Sequence, residues 1–308
     1  MSSHSQLSGD FTLFNTKLDS LRTQVDEALK RSADLNESAA PSLKEAMEYS
    51  LFARAKRIRP ILALQAGRIF GGRDEILLDV AVSIEHLHTY SLIHDDLPCM
   101  DNTDYRRGVL TCHKKFGDDI ATLAGDALLT FAWDTIISRC RTYEVEEKTI
   151  VDIIQVLSKA IGANGMIAGQ VLDLQAEGQD LQLDEVCKIH EFKTGKLFTC
   201  SVLVGGLLAG ATATDLARLE EFGRHFGMVF QITDDILDLT STSETLGKPA
   251  GQDLVLQKST VPSILGIEES RKLARVHVEE GKKSLEHYHH PEAEFLNTLL
   301  DYLLVRVH

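Results

Sequence analysis

Residues 74–101 read DEILLDVAVSIEHLHTYSLIHDDLPCMD, a long apolar stretch that ends in three closely spaced carboxylates. Its period of three to four residues predicts a helix over 74–97. One stripe of that helix consists of Val80, Ile84, His88, Ser91 and Asp95. This stripe is apolar at its start and polar at its end, so the inner face of the helix should carry polar groups near the C-terminus. Pro98 is expected to end or distort the helix.

A second acidic cluster, Asp234-Asp235-Ile236-Leu237-Asp238, ends another apolar helical stripe. Its first and last carboxylates are four residues apart, so they project from one helix face. Asp95 and Asp101 are six apart, and they reach the same effective spacing if Pro98-Cys99 forms a two-residue bulge. Carboxylates are costly to desolvate without a positive partner, and at a helix C-terminus they also oppose the dipole. Both clusters are therefore interpreted as facing one cavity that holds a hard cation, magnesium above all.

Composition excludes several classes of protein. The 308 residues carry 32 Lys and Arg against 46 Asp and Glu, a net charge of −14, which argues against nucleic acid as a partner. Five cysteines show no CxxC spacing, as expected of a reduced, cytoplasmic protein without disulfides. The N-terminus resembles no signal peptide, and the longest apolar run, 200–211, is too short for a bilayer. We therefore expect no membrane insertion.

The rest of the chain follows the helical period as well. Helices are expected from Phe11 to Leu29, over 42–53, 61–70, 118–139, 146–161, 164–176, 184–209 and 215–239, near Val261, over 268–287, and through Phe295 and Leu303. The 184–209 helix should be interrupted or kinked at Lys193-Thr194-Gly195. No alternating run is long enough for a sheet. The sequence predicts a single all-α domain over 1–308, with ten or more helices around a deep central cavity and a disordered tail at 1–9.

Basic residues are concentrated in a few places of this acidic chain. They are Lys56, Arg57 and Arg59, then Arg106 and Arg107, Lys193, Lys248 and Lys258. Magnesium together with a Lys/Arg clamp is how proteins hold pyrophosphate, and the forked guanidinium of arginine suits phosphate oxygens. A Walker-type loop and a GxGxxG pattern are both absent from the sequence. A diphosphate site without a nucleotide-binding loop is therefore expected.

Several short motifs together resemble the trans-isoprenyl diphosphate synthases, and among them the bacterial farnesyl diphosphate synthases. The first and second aspartate-rich motifs of that family are matched by His88 to Asp101 with Arg106-Arg107-Gly108, and by Gln231 to Asp238. Its isopentenyl-diphosphate segment is matched by Lys56 to Pro60, although Ala55 stands where glycine is common. Further matches are Thr111-Cys112-His113, Gly125 to Leu128, Gly169-Gln170, Lys193-Thr194-Gly195 and Leu246-Gly247-Lys248. The resemblance covers most of the chain and implies the isoprenoid synthase fold.

The resemblance also implies a role for each matched residue. Magnesium would be held by Asp95, Asp96 and Asp101 and, on the opposite wall, by Asp234, Asp235 and Asp238. The allylic diphosphate would be bound by Arg106, Lys193, Lys248 and Lys258, with Thr194 and Gln231 beside the reacting carbon. Isopentenyl diphosphate would be bound by Lys56, Arg59, His88 and Arg107. Three magnesium ions per active site, replaceable by manganese, and a homodimer are implied in the same way.

Product length is expected to depend on Tyr90 and Ser91. Tyr90 lies five residues before Asp95, roughly 7.5 Å deeper along a helix that rises about 1.5 Å per residue. In the family that it resembles, an aromatic side chain near this position goes with chain growth that stops at farnesyl diphosphate. Helical geometry alone places Tyr90 on a flank of the helix, so its role as the floor of the cavity rests on the resemblance.

Other functions were weighed against this one. The same chemistry could give geranyl or geranylgeranyl diphosphate as main product from dimethylallyl or geranyl diphosphate. The His94-Asp95 pair is also compatible with an HD-type metal phosphohydrolase, which would leave the second acidic cluster and the basic residues unexplained. A terpene cyclase would have no use for a second diphosphate pocket at 56–59. A non-catalytic subunit of a heteromeric synthase would not need intact Asp residues in both acidic motifs.

Overall fold

The computed structural model describes residues 11–33, 40–240 and 258–305, and these residues are almost entirely helical. Their α-helices are α1 Thr12–Ala33, α2 Pro41–Leu51, α3 Ile58–Ile69, α4 Asp74–Asp95, α5 Cys112–Phe116, α6 Asp118–Thr142, α7 Glu147–Ile161, α8 Met166–Ala176, α9 Leu183–His190, α10 Lys196–Leu208, α11 Ala213–Thr240, α12 Val261–Leu265, α13 Ile267–Ser284 and α14 Pro291–Val305. The predicted all-α fold with ten or more helices is confirmed. The predicted tail at 1–9 lies outside the described residues.

Helix α4 runs through the interior between two groups of buried apolar side chains. One group joins α1, α3, α10, α11, α13 and α14. The other joins α4, α6, α7 and α10. Side chains of α4 are buried on all sides, and Val80, Ile84 and Leu87 have no exposed surface. A helix that is apolar all round must lie inside the molecule, so the C-terminal carboxylates of α4 emerge from the core rather than from the surface.

The chain between α4 and α5 contains a small hairpin that the sequence did not predict. Strand β1 Tyr105–Arg106 pairs antiparallel with β2 Val109–Leu110. The two residues between them, Arg107 and Gly108, both have positive φ, 54° and 81°. A two-residue turn with both central residues in the left-handed region matches the twist of a hairpin. Strands of two residues are too short to leave an alternating pattern in the sequence.

The break predicted within 184–209 is a five-residue π-helix, Glu191–Gly195, between α9 and α10. Such π-turns are rare and occur mostly where a helix presents functional side chains.

Three described helical stretches are long and apolar enough, by length and composition, to cross a membrane. They are Asp74–Asp95, Asp118–Thr142 and Glu147–Ala176. The first is 78% buried in the core, whereas the other two are 39% and 33% buried. Exposed apolar side chains such as Leu123 and Val151 therefore line the outside of α6 and α7.

Candidate active site

A cavity of about 670 Å³ opens at the C-terminal end of α4, between α8, the π-helix and α11. Most of the predicted site residues line it, namely Arg59, His88, Tyr90, Ser91, Asp95, Asp101, Arg106, Lys193, Thr194, Gln231, Asp234, Asp235 and Lys258. Four predicted site residues in the described part of the chain do not line the cavity: Lys56, Asp96, Arg107 and Asp238. The predicted Lys248 lies outside the described residues. The structure thus brings the two acidic motifs and most of the predicted cations to one cavity.

The first acidic motif has the bulge that its spacing predicted. The amide of Asp101 donates to the carbonyl oxygen of Asp95 at 2.9 Å. This hydrogen bond spans six residues where an α-helix would span four, so the chain accommodates two additional residues at this point. Both carboxylates line the cavity as a result.

The carboxylates of this motif carry more negative charge than the surrounding cations balance. Burial raises the pKa of Asp95 although Lys193 opposes the rise, and burial raises the pKa of Asp96 although Arg106 opposes it. Arg106 donates from Nε to both Asp96 oxygens at 2.8 Å. Oδ1 of Asp101 is buried and has no hydrogen-bond partner among the described residues. An oxygen-rich, under-neutralised site of this kind fits a divalent cation such as magnesium.

No three His, Cys, Asp or Glu side chains in the described part of the chain form a ready-made metal cage. Magnesium commonly binds one or two carboxylates and completes its coordination with water and substrate phosphate oxygens.

The second acidic motif ends α11. Asp234 and Asp235 line the cavity, whereas Asp238, one turn further, is 4% exposed and lies behind them. Oδ2 of Asp235 accepts a hydrogen bond from the amide of Val261 at 3.1 Å and lies 3.5 Å from Nε2 of His190. Asp235 therefore also ties the end of α11 to the start of α12.

The π-helix presents Lys193 and Thr194 to the cavity. Nζ of Lys193 donates to Oδ2 of Asp173 at 2.7 Å, and Nζ of Lys258 donates to the same oxygen at 2.8 Å. Burial would raise the pKa of Asp173, but the two ammonium groups outweigh it and hold that pKa below its usual value. Lys193 also lies 4.0 Å from Asp95. One carboxylate on α8 therefore positions two of the predicted diphosphate-binding lysines.

Sequence reasoning did not select Asp173. A signal was present, because Asp173 is an acidic residue in an otherwise apolar helix, three residues after the Gly169-Gln170 motif and on the same helix face.

A separate basic group lies beside α4. Nη1 of Arg59 lies 3.1 Å from Nε2 of His88, and its guanidinium stacks 4.2 Å from the centre of the Phe198 ring. Burial lowers the pKa of Arg59 to about 10, and burial with the nearby Arg59 charge lowers the pKa of His88 well below its usual value. His88 is therefore a neutral acceptor for the arginine. Lys56 is exposed.

Tyr90 forms part of the wall below the acidic motif. Its side chain is 5% exposed, and its ring meets that of His94 edge-on with centroids 5.8 Å apart. The hydroxyl is buried without a hydrogen-bond partner in the described part of the chain. Burial, with a smaller effect of Asp95, raises the pKa of Tyr90 to about 12, so the ring is a neutral, mostly apolar surface.

Comparison with known proteins identifies the family to which the chain belongs. Residues 40–291 match the family described as Polyprenyl synthetase. A chloroplastic geranylgeranyl pyrophosphate synthase of Capsicum annuum is 44% identical over 265 residues, which are 86% of this chain and 71% of the relative. A farnesyl diphosphate synthase of Geobacillus stearothermophilus is 44% identical over 268 residues, which are 87% of this chain and 90% of the relative.

Comparison with solved structures shows a similarity to the same kind of protein as the sequence comparison does. An FPP/GFPP synthase from Zymomonas mobilis superposes with a TM-score of 0.83 at 31% identity, covering 94% of this chain and 98% of that one. A geranyltransferase from Helicobacter pylori, complexed with magnesium and isoprenyl diphosphate, has a TM-score of 0.80 at 32% identity, covering 99% and 98%. The fold is that of the all-helical isoprenyl diphosphate synthases. The chain belongs to the polyprenyl synthetase family and is a trans-prenyl diphosphate synthase. The alternative of an HD-type phosphohydrolase is therefore wrong.

Proposed function

We propose that this enzyme condenses dimethylallyl diphosphate with isopentenyl diphosphate to geranyl diphosphate, and geranyl diphosphate with a second isopentenyl diphosphate to farnesyl diphosphate, releasing one pyrophosphate in each condensation. The observation that supports this best is the cavity itself. Acidic and basic side chains line part of it, and apolar groups including Leu129, Met166 and Leu174 line the rest. The charged part of the lining suits the two diphosphates, and the apolar part suits a growing prenyl chain.

The charged part of the lining contains two sets of residues, carboxylates for magnesium and cations for the allylic diphosphate. In our proposal Asp95, Asp96 and Asp101 and, across the cavity, Asp234, Asp235 and Asp238 hold three magnesium ions, which manganese can replace. Magnesium, when bound, neutralises the charge that develops on the departing diphosphate. The same diphosphate is bound by Arg106, Lys193, Lys248 and Lys258. Asp96 and Asp173 hold three of these cations in place.

The reaction breaks the allylic carbon–oxygen bond, forms a carbon–carbon bond with isopentenyl diphosphate and ends with loss of a proton. Thr194 and Gln231 line the cavity and offer oxygen atoms to the allylic cation. The apolar walls keep water away from that cation. In this scheme the released pyrophosphate is the group that accepts the proton. Isopentenyl diphosphate is bound by Lys56, Arg59, His88 and Arg107.

Farnesyl diphosphate is our choice of main product because of Tyr90, with Ser91 beside it in the cavity wall. Relatives of nearly equal identity include both geranylgeranyl and farnesyl synthases, so overall similarity does not decide product length. A buried ring below the first acidic motif supports a short chain, and geranyl or geranylgeranyl diphosphate is the runner-up.

We further propose that the chain forms one domain that works in the cytoplasm as a homodimer, without membrane insertion and without a nucleic-acid partner. Five free cysteines, three of them buried, suit a reducing compartment. The exposed apolar side chains of α6, α7 and α8 offer a surface for a second copy.

One assay tests the proposed function. Purified protein is incubated with magnesium, dimethylallyl diphosphate and isopentenyl diphosphate, and the prenyl products and pyrophosphate are measured. Farnesyl diphosphate is expected, and product formation should stop when a chelator removes magnesium. Inorganic phosphate, a cyclic hydrocarbon or the absence of a longer prenyl diphosphate would contradict the proposed class of reaction. Geranyl or geranylgeranyl diphosphate as main product would contradict only the proposed chain length.

A further inference from the structure

Three arginines surround one buried glutamate beside the cavity, and two members of this group, Glu85 and Arg57, have no role in the scheme above. Oε1 of Glu85 accepts hydrogen bonds from Nη1 of Arg57 at 2.6 Å and from Nη2 of Arg107 at 3.4 Å. The charge of Arg59 also acts on Glu85. Glu85 is 1% exposed and lies on α4, three residues before His88. We call Glu85, Arg57, Arg59 and Arg107 the guanidinium cluster.

Arg57 serves the protein itself. Its Nε donates to Asp26 at 2.8 Å, and its Nη2 donates to the carbonyl oxygens of Leu51 at 2.7 Å and Ala53 at 3.2 Å. With the bond to Glu85, four hydrogen bonds fix this guanidinium between α1, α2 and α4. Arg57 is 3% exposed and has a left-handed backbone with φ 53°. It is therefore an anchor for Glu85 rather than a ligand for substrate.

Arg59 and Arg107 retain donors for a ligand. Nε of Arg59 is buried and has no hydrogen-bond partner in the described part of the chain. Arg107 extends from the hairpin turn with its own φ at 54°, and its hydrogen bond to Glu85 is long. Burial alone would raise the pKa of Glu85, yet the guanidinium groups of Arg57 and Arg107 hold that pKa below its usual value. Glu85 is thus an anion that holds neighbouring guanidiniums, two of them with donors to spare.

We propose that Glu85 is a positioning residue for isopentenyl diphosphate. Glu85 is hydrogen-bonded to the fixed guanidinium of Arg57 and thereby holds Arg107 in place. Its negative charge also keeps Arg59 and Arg107 close together despite their repulsion. This inference rests on the proposed function, which places isopentenyl diphosphate at these two arginines. Glu85 itself does not touch the substrate.

The sign of one kinetic effect tests the inference. Glu85→Gln keeps the shape of the side chain and removes a negative charge. If Glu85 acted only through its charge, the variant would attract an anionic substrate more strongly, and the KM for isopentenyl diphosphate would fall. If Glu85 positions the arginines, that KM should rise about tenfold, the usual scale for losing a charge-assisted hydrogen bond, while the KM for dimethylallyl diphosphate changes less than about twofold.

Asp26→Asn is the matched control. This substitution removes the second carboxylate that accepts a hydrogen bond from Arg57. Asp26 lies on α1, and it accepts that bond from Nε of Arg57. Both KM values should stay within about twofold of those of the unmodified enzyme. An equal rise in Asp26→Asn and Glu85→Gln would show that Glu85 merely supports Arg57, and would overturn the inference.

Two further measurements keep the test decisive. Glu85→Asp retains the charge and should restore most of the KM for isopentenyl diphosphate, and it replaces the Gln variant if that chain fails to fold. In an Arg107→Gln background, Glu85→Gln should raise this KM by clearly less than it does alone. An unmodified enzyme without activity would overturn the proposed function, whereas an active enzyme whose Glu85→Gln KM is unchanged or lower would overturn only the role of Glu85.

Discussion

Tyr90 lines the cavity, and we propose that it limits product length. Its ring is buried in the wall against His94, and its hydroxyl is buried without a hydrogen-bond partner among the described residues. A hydroxyl without a bond contributes nothing to holding the ring in place. The ring must therefore act through its volume and its packing.

Tyr90→Ala is expected to lengthen the product from farnesyl to geranylgeranyl diphosphate or beyond, because the space of the ring becomes available to the growing chain. Product length is measured by chromatography of the dephosphorylated prenols. Tyr90→Phe is the control: it keeps the ring and removes only the unbonded hydroxyl, so its products should match those of the unmodified enzyme. Unchanged products from Tyr90→Ala would show that the floor of the cavity lies elsewhere.

Individual residues also show which features of the site could not be predicted from the sequence. The basic run at 56–59 looks uniform in the sequence, yet in the structure Lys56 is exposed, Arg57 is buried as an anchor and Arg59 lines the cavity. Side chains two residues apart point in different directions, and their partners come from distant helices. Asp173 was missed for the same reason, since its two lysine partners are 20 and 85 residues away.

The proposed diphosphate-binding wall depends on the π-helix, which carries Lys193 and Thr194. Two neighbouring helices approach it closely through glycines. A Cβ atom at Gly169 of α8 would lie 2.2 Å from the backbone nitrogen of Lys193, and one at Gly227 of α11 would lie 2.7 Å from Cα of Gly195. A methyl group at either position would require a backbone to move.

Gly169→Ala should therefore displace Lys193 and lower kcat/KM for the allylic diphosphate roughly 10- to 100-fold, since small misplacements of binding groups have effects of this size. Helix content by circular dichroism should be unchanged. Gly195→Ala adds a methyl group to the same π-helix, where the new carbon would lie 3.5 Å from the carbonyl oxygen of His190, an ordinary contact distance. It should cost much less activity. Equal losses in the two variants would contradict the role assigned to this close approach.

A pair of histidines joins α11 to α13. Nη2 of Arg224 lies 2.8 Å from Nε2 of His225, so this nitrogen accepts and His225 carries its proton on Nδ1. Nδ1 of His225 lies 2.8 Å from Nδ1 of His277, which must accept in turn. Burial, helped by His225 and Arg224, lowers the pKa of His277 to about 4. Protonation of His277 would remove the acceptor and break this bond.

The stability of the protein should consequently fall in mild acid. The folded pKa of His277 lies below its unfolded value of about 6.5, so its contribution is complete above that value and is lost as pH falls towards the folded pKa. At pH 5 the loss should be about 1 to 2 kcal/mol in the free energy of unfolding. His277→Gln should flatten the fall between pH 7 and pH 5 in denaturant titrations. An unchanged slope would show that His277 is not the group responsible.

Whole elements were predictable wherever apolar residues recur with the helical period. The long helices α4, α6 and α11 follow from the sequence because their apolar residues recur every three to four positions. The break at 193–195 was likewise predicted within the 184–209 helix. The hairpin at 105–110 was not predictable, since it depends on two left-handed residues rather than on a pattern. The cavity shares this limit: the sequence indicated which residues carry charge, and packing determines which of them meet.

At the scale of the whole molecule, an acidic protein leaves apolar surface exposed on consecutive helices. Val151 of α7 is 62% exposed, Leu123 of α6 is 53% exposed and Ile167 of α8 is 49% exposed. Ile167 also lines the cavity, so this surface adjoins the proposed prenyl-binding space. A second copy packed there would remove apolar surface from water at about 25 cal/mol per Å².

Val151→Asp is accordingly expected to weaken the proposed dimer, because a buried valine contributes about 1.5 to 3 kcal/mol and an unpaired carboxylate in an interface costs more. Light scattering after size exclusion should show a dimer for the unmodified chain and mainly monomer for this variant at micromolar concentration. Val276→Asp is the matched control, since Val276 of α13 is 58% exposed but lies outside these helices, and it should remain dimeric. A monomeric unmodified chain would refute the homodimer. Equal dissociation of both variants would mean that added charge, rather than this surface, controls assembly.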